Sequence, residues 1–386
     1  MAMGSIARKE YIRELQKQYY GASKAVKRDL LNGAVVFTGL HRKSLIRMLR
    51  QPLHHSTAHH PPGVRGPKIH YDALFHDALL VCWHAANDIC AERLQPFMPA
   101  LVLKLETCGL LVVNTHTRDL LLQASIATVA RHLHKAQKRS TIPLGTTKPG
   151  SLLKSQVAVR KGRWEETNPG WLESDTVAHG GDSGAGQFIH SYDFVDIATG
   201  WVELEPAMGK GERATVASLE VVSHRFPFPV LGIDSDNGSE YINHHLQRYC
   251  EQHNLTFTRS RPYQKNDNAH VEQKNWEAIR KIVGYHRLET EEQLALIREL
   301  YRGPLRLYLN YFQPTRKRKV QTIDTITGQK TKRYFEAKTP HQRVMEHADT
   351  SSQTKALLHS LYNQLNPVTL LAEIRSLLDR LQRTLR

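Results

Sequence analysis

The chain has 386 residues, 40% hydrophobic and 23% charged, enough for real cores and about two to four domains. Its 53 Lys/Arg against 37 Asp/Glu give a formal net charge of +16, which points to a polyanion, with nucleic acid ahead of an anionic membrane surface. Four scattered cysteines without a paired spacing, no signal peptide, and an apolar run at Leu101–Val113 broken by Lys104 and Glu106 argue against a disulfide scaffold, a secreted chain and a membrane span.

In chain order, Ser5 to Tyr20 reads as a first helix with Ile6, Tyr11, Ile12, Leu15 and Tyr19 inward, and Ser23 to Asn32 as a second, closed by Asn32-Gly33. A third runs from Arg42 to Arg50. Leu45, Ile46 and Leu49 face inward there, while Lys43, Arg47 and Arg50 share the other side. This predicts a helix-turn-helix module over residues 1–52, its last helix shaped for a major groove. The linker 53–67 carries His54, His55, His59 and His60 around Pro61-Pro62-Gly63, and no cysteine pair completes a zinc set.

Residues 68–139 repeat the helical pattern. Tyr71–Ala86 and Cys90–Leu105 are expected helices, the latter with a break near Pro96 to Pro99, followed by Arg118–Leu122 and a helix capped by Ser125. In that last helix Ile126, Val129, Ala130 and Leu133 make the buried stripe, and Thr128, Arg131, Lys135 and Lys138 line the opposite face. A second DNA-binding module of helix-turn-helix type is expected there. The stretch 140–168 is a polar, basic connector suited to the DNA backbone.

From residue 169 the pattern changes to strands: Gly170–His179, Gln187–Phe194 and Trp201–Leu204, with a turn at Asp196–Gly200. A helix over Gly211–Arg225 follows, then the apolar run Val230–Ile233, which stops in the turn Asp234-Ser235-Asp236-Asn237-Gly238. A helical stretch, a strand at Leu255–Thr258, a loop from Arg261 to Asn268 and a helix from about Ala269 complete the region. A carboxylate at the end of a strand and another in the first turn of a later helix can point at one spot. Asp236 and Glu272, with 35 residues between them, are that pair.

SDNGSEY followed by RPYQKNDNAHVEQKNW resembles the catalytic core of integrase-type DDE transposases, relatives of retroviral integrases in the ribonuclease H-like superfamily. The resemblance covers roughly Trp171 to Tyr285. It implies an Asp, Asp, Glu set, with Asp175 on a central strand as the first member; Asp193 and Asp196 are its rivals, and Asp234 is a substitute for Asp236. It further implies that Asp175, Asp236 and Glu272 hold two Mg²⁺ or Mn²⁺ ions. Three carboxylates suit such hard cations, which stabilise the entering and leaving oxygens of an in-line phosphoryl transfer. Lys265, Asn266, Asn268 and Lys274 flank this site with groups fit for phosphates and base edges. His179 is expected to be structural or to support a ligand.

Residues 289–345 read as a helix interrupted at Gly303-Pro304, then a small basic β element opened by Arg316, Lys317, Arg318 and Lys319. Residues 346–386 form a helical tail capped by Asn366, with Leu370, Ile374, Leu377, Leu381 and Leu385 in one stripe, either packed on this chain or paired with another protomer. The expected class is therefore multidomain: N-terminal all-α helix-turn-helix modules, an α/β ribonuclease H-like core over 169–288, a small C-terminal β element and a helical tail. The expected function is a bacterial, cytoplasmic, nucleoid-associated transposase acting on double-stranded DNA as a dimer or higher oligomer, with no membrane partner. It would free 3′-hydroxyls at element ends and join them to target DNA. The rivals are a catalytically silent DNA-binding regulator and a nuclease without strand transfer.

Overall fold

The computed structural model describes residues 5–50, 71–134, 168–235, 244–259, 275–323 and 330–385. By compactness these fall into two units, Met1–His70 and Tyr71–Arg386.

The first unit packs α1 (Ser5–Gly21), α2 (Lys24–Thr38) and α3 (Arg42–Arg50) around Leu15, Leu31, Ala34, Leu45 and Leu49. Helix α2 does not stop at Asn32-Gly33 as predicted. Burial of Leu31, Ala34 and Thr38 on one face carries it two turns further. It ends where Gly39 takes φ 68° and donates its N–H to the Val35 carbonyl.

In the second unit α4 (Ala73–Ala85), α5 (Ala91–Thr107), α6 (Thr115–Gln123) and α7 (Ile126–Leu133) come first. The break predicted at Pro96 to Pro99 is absent, and α5 runs through both prolines. Each removes one backbone hydrogen bond, and burial of Leu94, Phe97, Met98, Leu101, Val102 and Leu105 along one face outweighs that loss. These four helices share one hydrophobic core with the α/β region and the C-terminal helices. Polar anchors fix the join. Tyr308 Oη donates to the Ala85 carbonyl at 2.9 Å, and Lys104 Nζ donates to the Tyr362 and Asn363 carbonyls at 2.8 and 3.0 Å.

The sheet contains β1 (Trp171–Ala178), β2 (Ile189–Asp196), β3 (Val202–Met208), β4 (Gly232–Ser235) and β5 (Thr256–Arg259), in the order β3-β2-β1-β4-β5. The first three are antiparallel neighbours, and β4 and β5 run parallel to β1, with α8 (Glu212–Ser223) and α9 (His244–Gln252) as the crossovers. This is the expected ribonuclease H-like core, a mixed sheet between helical flanks. The strand predicted at Val230–Ile233 begins at Gly232 instead and runs through Ser235, because ladder pairing with β1 and β5 extends it beyond the apolar run.

A π-helical turn, Asn275–Arg280, leads into α10 (Lys281–Val283). Then α11 (Glu291–Leu300), a π-helical segment (Tyr301–Leu305) and α12 (Arg306–Phe312) pack against β3. The predicted interruption lies at Gly303, with φ −106° and ψ −117°. Asn310 closes the open edge of β3: its amide accepts from Val202 N–H at 2.9 Å and donates to the Val202 carbonyl at 2.8 Å.

The basic hairpin pairs β6 (Arg318–Ile323) with β7 (Lys330–Tyr334). Finally α13 (Pro340–Glu346), α14 (Ser352–Gln364) and α15 (Pro367–Arg383) close the unit. Asn366 caps α15 by accepting from the Val368 and Thr369 N–H groups, and Leu370, Ile374, Leu377 and Leu381 are buried against α11 and α12. The stripe packs on this chain.

Candidate active site

Asp175 lies near the middle of β1, the central strand, flanked by β2 on one side and β4 on the other. It is partly buried, and its carboxylate accepts from the Thr176 N–H at 2.7 Å. Directly opposite in the antiparallel ladder stands Asp193, fully buried. Opposed residues share a face of the sheet with Cβ atoms ~5 Å apart, so Asp175 and Asp193 are neighbours. Glu173 and Asp234, both buried, oppose each other across β1 and β4, and Asp234 accepts from Thr258 Oγ1 at 2.6 Å. Glu173 stands two residues from Asp175 on the same strand, which puts all four carboxylates on one face. Among the described residues, no three His, Cys, Asp or Glu side chains are arranged to hold a metal ion.

Asp236 and Glu272 lie outside the described residues, as do Lys135, Lys138, Lys265, Asn266, Asn268 and Lys274. Their described neighbours still matter. Ser235, bonded to Asp236, is registered to Ser174, the residue before Asp175. Glu272 precedes the π-helical turn by three residues. That turn packs on β1, and its Arg280 donates from Nη2 to the Ala178 carbonyl at 2.9 Å.

Asp196, the turn carboxylate, is bound within its own loop. It accepts from the Gly170 N–H at 2.7 Å and from Thr199 N–H and Oγ1 at 2.7 and 2.6 Å. Burial pushes its pKa up against those bonds. His179 is fully buried, and burial together with nearby Arg280 lowers its pKa to about 3.

The basic residues differ in what they touch. Lys43 and Arg47 are exposed on α3, with Leu45 and Leu49 buried on its other side. Arg50 ends α3, and Arg318 and Lys319 open β6. On α7, Arg131 is exposed whereas Thr128 is buried, with its hydroxyl 3.1 Å from Ser125 Oγ. The Arg316 guanidinium sits 4.4 Å from the Tyr334 ring centroid. Lys317 donates to the Ile197 and Ala198 carbonyls of the β2–β3 turn, and burial lowers its pKa to about 8. Its ammonium is engaged inside the fold, a role that a run of four basic residues in sequence does not disclose.

Sequence reading also missed the charged cluster that holds the C-terminal helices to β3. Glu203 accepts from Trp201 Nε1 at 2.9 Å and Arg306 Nε at 2.6 Å, with Arg225 Nε 3.4 Å from its second oxygen. Glu205 accepts from Arg225 and Arg302 at 3.0 and 2.5 Å. The sequence signal was there: two glutamates alternate within an otherwise apolar strand, and arginines recur at positions 298, 302 and 306.

Residues 165–265 match the family model described as Integrase core domain. The uncharacterized protein y4rM of Sinorhizobium fredii (strain NBRC 101917 / NGR234) is 36% identical over 332 residues, 85% of this chain and 92% of that protein. The catalytic core domain of BIV integrase aligns with 45% of this chain and 91% of its own length, at 18% identity and a TM-score of 0.29. The chain belongs to one family with y4rM, and its residues 165–265 carry an integrase core domain. No helix among the described residues is long and apolar enough to cross a membrane.

Proposed function

We propose that this protein is a DDE transposase that cuts the ends of a mobile element and joins the freed 3′-hydroxyls to target DNA. The observation that carries the reading is the position of Asp175. It stands on the central strand of an integrase core domain, with the chain leading to Asp236 registered beside it and the segment after Glu272 packed on the same strand. Asp175, Asp236 and Glu272 would hold a divalent pair, and the all-carboxylate donor set fits Mg²⁺ or Mn²⁺. Bound there, the cations supply charge stabilisation to the entering and leaving oxygens. Water and then a DNA 3′-hydroxyl serve as nucleophiles, so no Ser, Cys or Tyr nucleophile is required.

The formal charge of +16 supports DNA as the partner, and exposed Lys43 and Arg47 on α3 and Arg131 on α7 are proposed contacts. Arg50, Lys135, Lys138, Lys265, Asn266, Asn268, Lys274, Arg316, Arg318 and Lys319 complete the proposed DNA-facing set; Thr128 and Lys317 are held by the bonds described above and are left out of it. Action on two ends implies a dimer or higher oligomer, in the bacterial cytoplasm.

The test incubates the protein with its flanking genomic DNA and Mg²⁺ and maps the products. Cut and joined ends are expected, and Asp175→Asn should abolish both while leaving end binding intact. Cutting without joining favours a nuclease. Binding without cutting favours the silent regulator.

A further inference from the structure

Next to the acidic pair runs a buried polar bridge that the proposed chemistry does not use. His179 follows β1, Ser191 lies on β2, and Tyr301 opens the π-helical segment. His179 Nε2 is 2.8 Å from Ser191 Oγ, which is 2.7 Å from Tyr301 Oη. All three residues are fully buried. Ser191 stands two residues before Asp193 on the same strand, so both share the face that carries Asp175.

The bonding order follows from solvation. Burial and Arg280 keep His179 neutral, and its Nδ1 finds no hydrogen-bond partner among the described residues. An unpartnered lone pair costs less than an unpartnered N–H. Nε2 therefore carries the proton and donates to Ser191 Oγ, and Ser191 and Tyr301 share the second hydrogen bond through their hydroxyls.

Packing alone does not call for these groups. Phenylalanine would fill the Tyr301 site, and replacing bonded buried polar partners by apolar groups of the same shape is often neutral. What the bridge adds is direction: it joins the ends of β1 and β2 to a helical segment whose next residue, Arg302, binds Glu205 on edge strand β3. The kink at Gly303 lets adjacent residues serve both purposes.

We propose that Tyr301, Ser191 and His179 are positioning residues that brace β1 against β2 and so hold Asp175 in the alignment the metal-binding carboxylates require, with the C-terminal helices setting the geometry of that strand. The inference rests on the transposase reading.

The test uses the full chain, Tyr301→Phe, Ser191→Ala and the double variant. One arm measures the rise in thermal midpoint with Mn²⁺ in the absence of DNA; the other measures kcat and KM for end DNA. The single variants are expected to fold, to need roughly five- to tenfold more Mn²⁺ for half-maximal stabilisation, and to lose a similar factor in kcat at limiting Mn²⁺ with KM unchanged. Excess Mn²⁺ should restore kcat. The double variant should be no worse than the poorer single, because both break one bridge.

An unchanged Mn²⁺ response in the folded variants overturns the proposal. Failure of both single variants to fold assigns the bridge to stability alone and overturns it as well. A wild type that binds Mn²⁺ but does not cut end DNA sinks the transposase reading, while the Mn²⁺ arm still decides the bridge. A wild type indifferent to Mn²⁺ sinks both.

Discussion

Replacing Glu203 with Gln should destabilise the larger unit severely without opening a cavity. The carboxylate is fully buried and faces two guanidiniums, Arg306 and Arg225, while Glu205 alone answers Arg302. An isosteric amide keeps an acceptor for Trp201 and Arg306. Its NH₂, however, meets Arg225 Nε at the present 3.4 Å, donor against donor. Glu205 is then left alone among four cations, Arg225, Arg298, Arg302 and Arg306. Breaking a buried ion pair on one side costs about 3–5 kcal/mol. The arginine side chains keep 15%, 23% and 43% of their exposure at Arg225, Arg306 and Arg302, so water recovers part of that cost. The lower end, about 3 kcal/mol, is therefore expected. At ~2–4 °C per kcal/mol for a domain of this size class, the thermal midpoint should fall by roughly 6–12 °C. Calorimetry of the full chain measures it. Adding Arg225→Met to Glu203→Gln should cost far less than the sum of the single effects, because the stranded cation is gone. A drop below about 2 °C for Glu203→Gln would refute the reasoning and show that the cluster is solvated.

Acid should unfold the protein through its buried histidines. Burial lowers the pKa of His179 to about 3 and of His190 and His341 to about 4, below the ordinary 6.5. The unfolded chain then binds protons that the folded one refuses, so stability complete above pH ~6.5 is lost as pH falls toward 4. The slope is roughly 4 kcal/mol per pH unit for three groups, and Asp196, whose pKa burial raises, works with the opposite sign. Denaturant midpoints that stay flat from pH 6.5 to 5 would contradict this. Lys317→Met should loosen the β2–β3 turn and lower the thermal midpoint while leaving the salt slope of DNA binding unchanged, since its ammonium is held by Ile197 and Ala198; a lost unit of slope would show that it reaches phosphate. Removing Lys43 or Arg47, both exposed, should instead weaken binding to any DNA and reduce that slope by about one unit each, as read from titrations at several salt concentrations.

Local chemistry reaches a long way in this chain. The turn chemistry at Asp196–Gly200 announced β2 and β3, Asn366-Pro367 the start of α15, and Gly303-Pro304 the interruption between α11 and α12, because turn formation, capping and helix breaking act within a few bonds. The acidic motifs likewise announced the integrase core domain. Where tertiary burial competed, local signals lost: α2 ran past Asn32-Gly33, and α5 absorbed two prolines.

The partnerships were decided only in three dimensions. No spacing rule pairs Asp175 with Asp193, ties His179 through Ser191 to Tyr301 across 110 residues, sets Lys317 on a turn 119 residues away, or turns the leucine stripe of α15 onto its own chain. Strand order and helix docking choose which distant polar groups share a low-dielectric interior, and there each must find a partner or bear the desolvation cost. Sequence determined which chemistry was present; the tertiary fold decided which groups could meet.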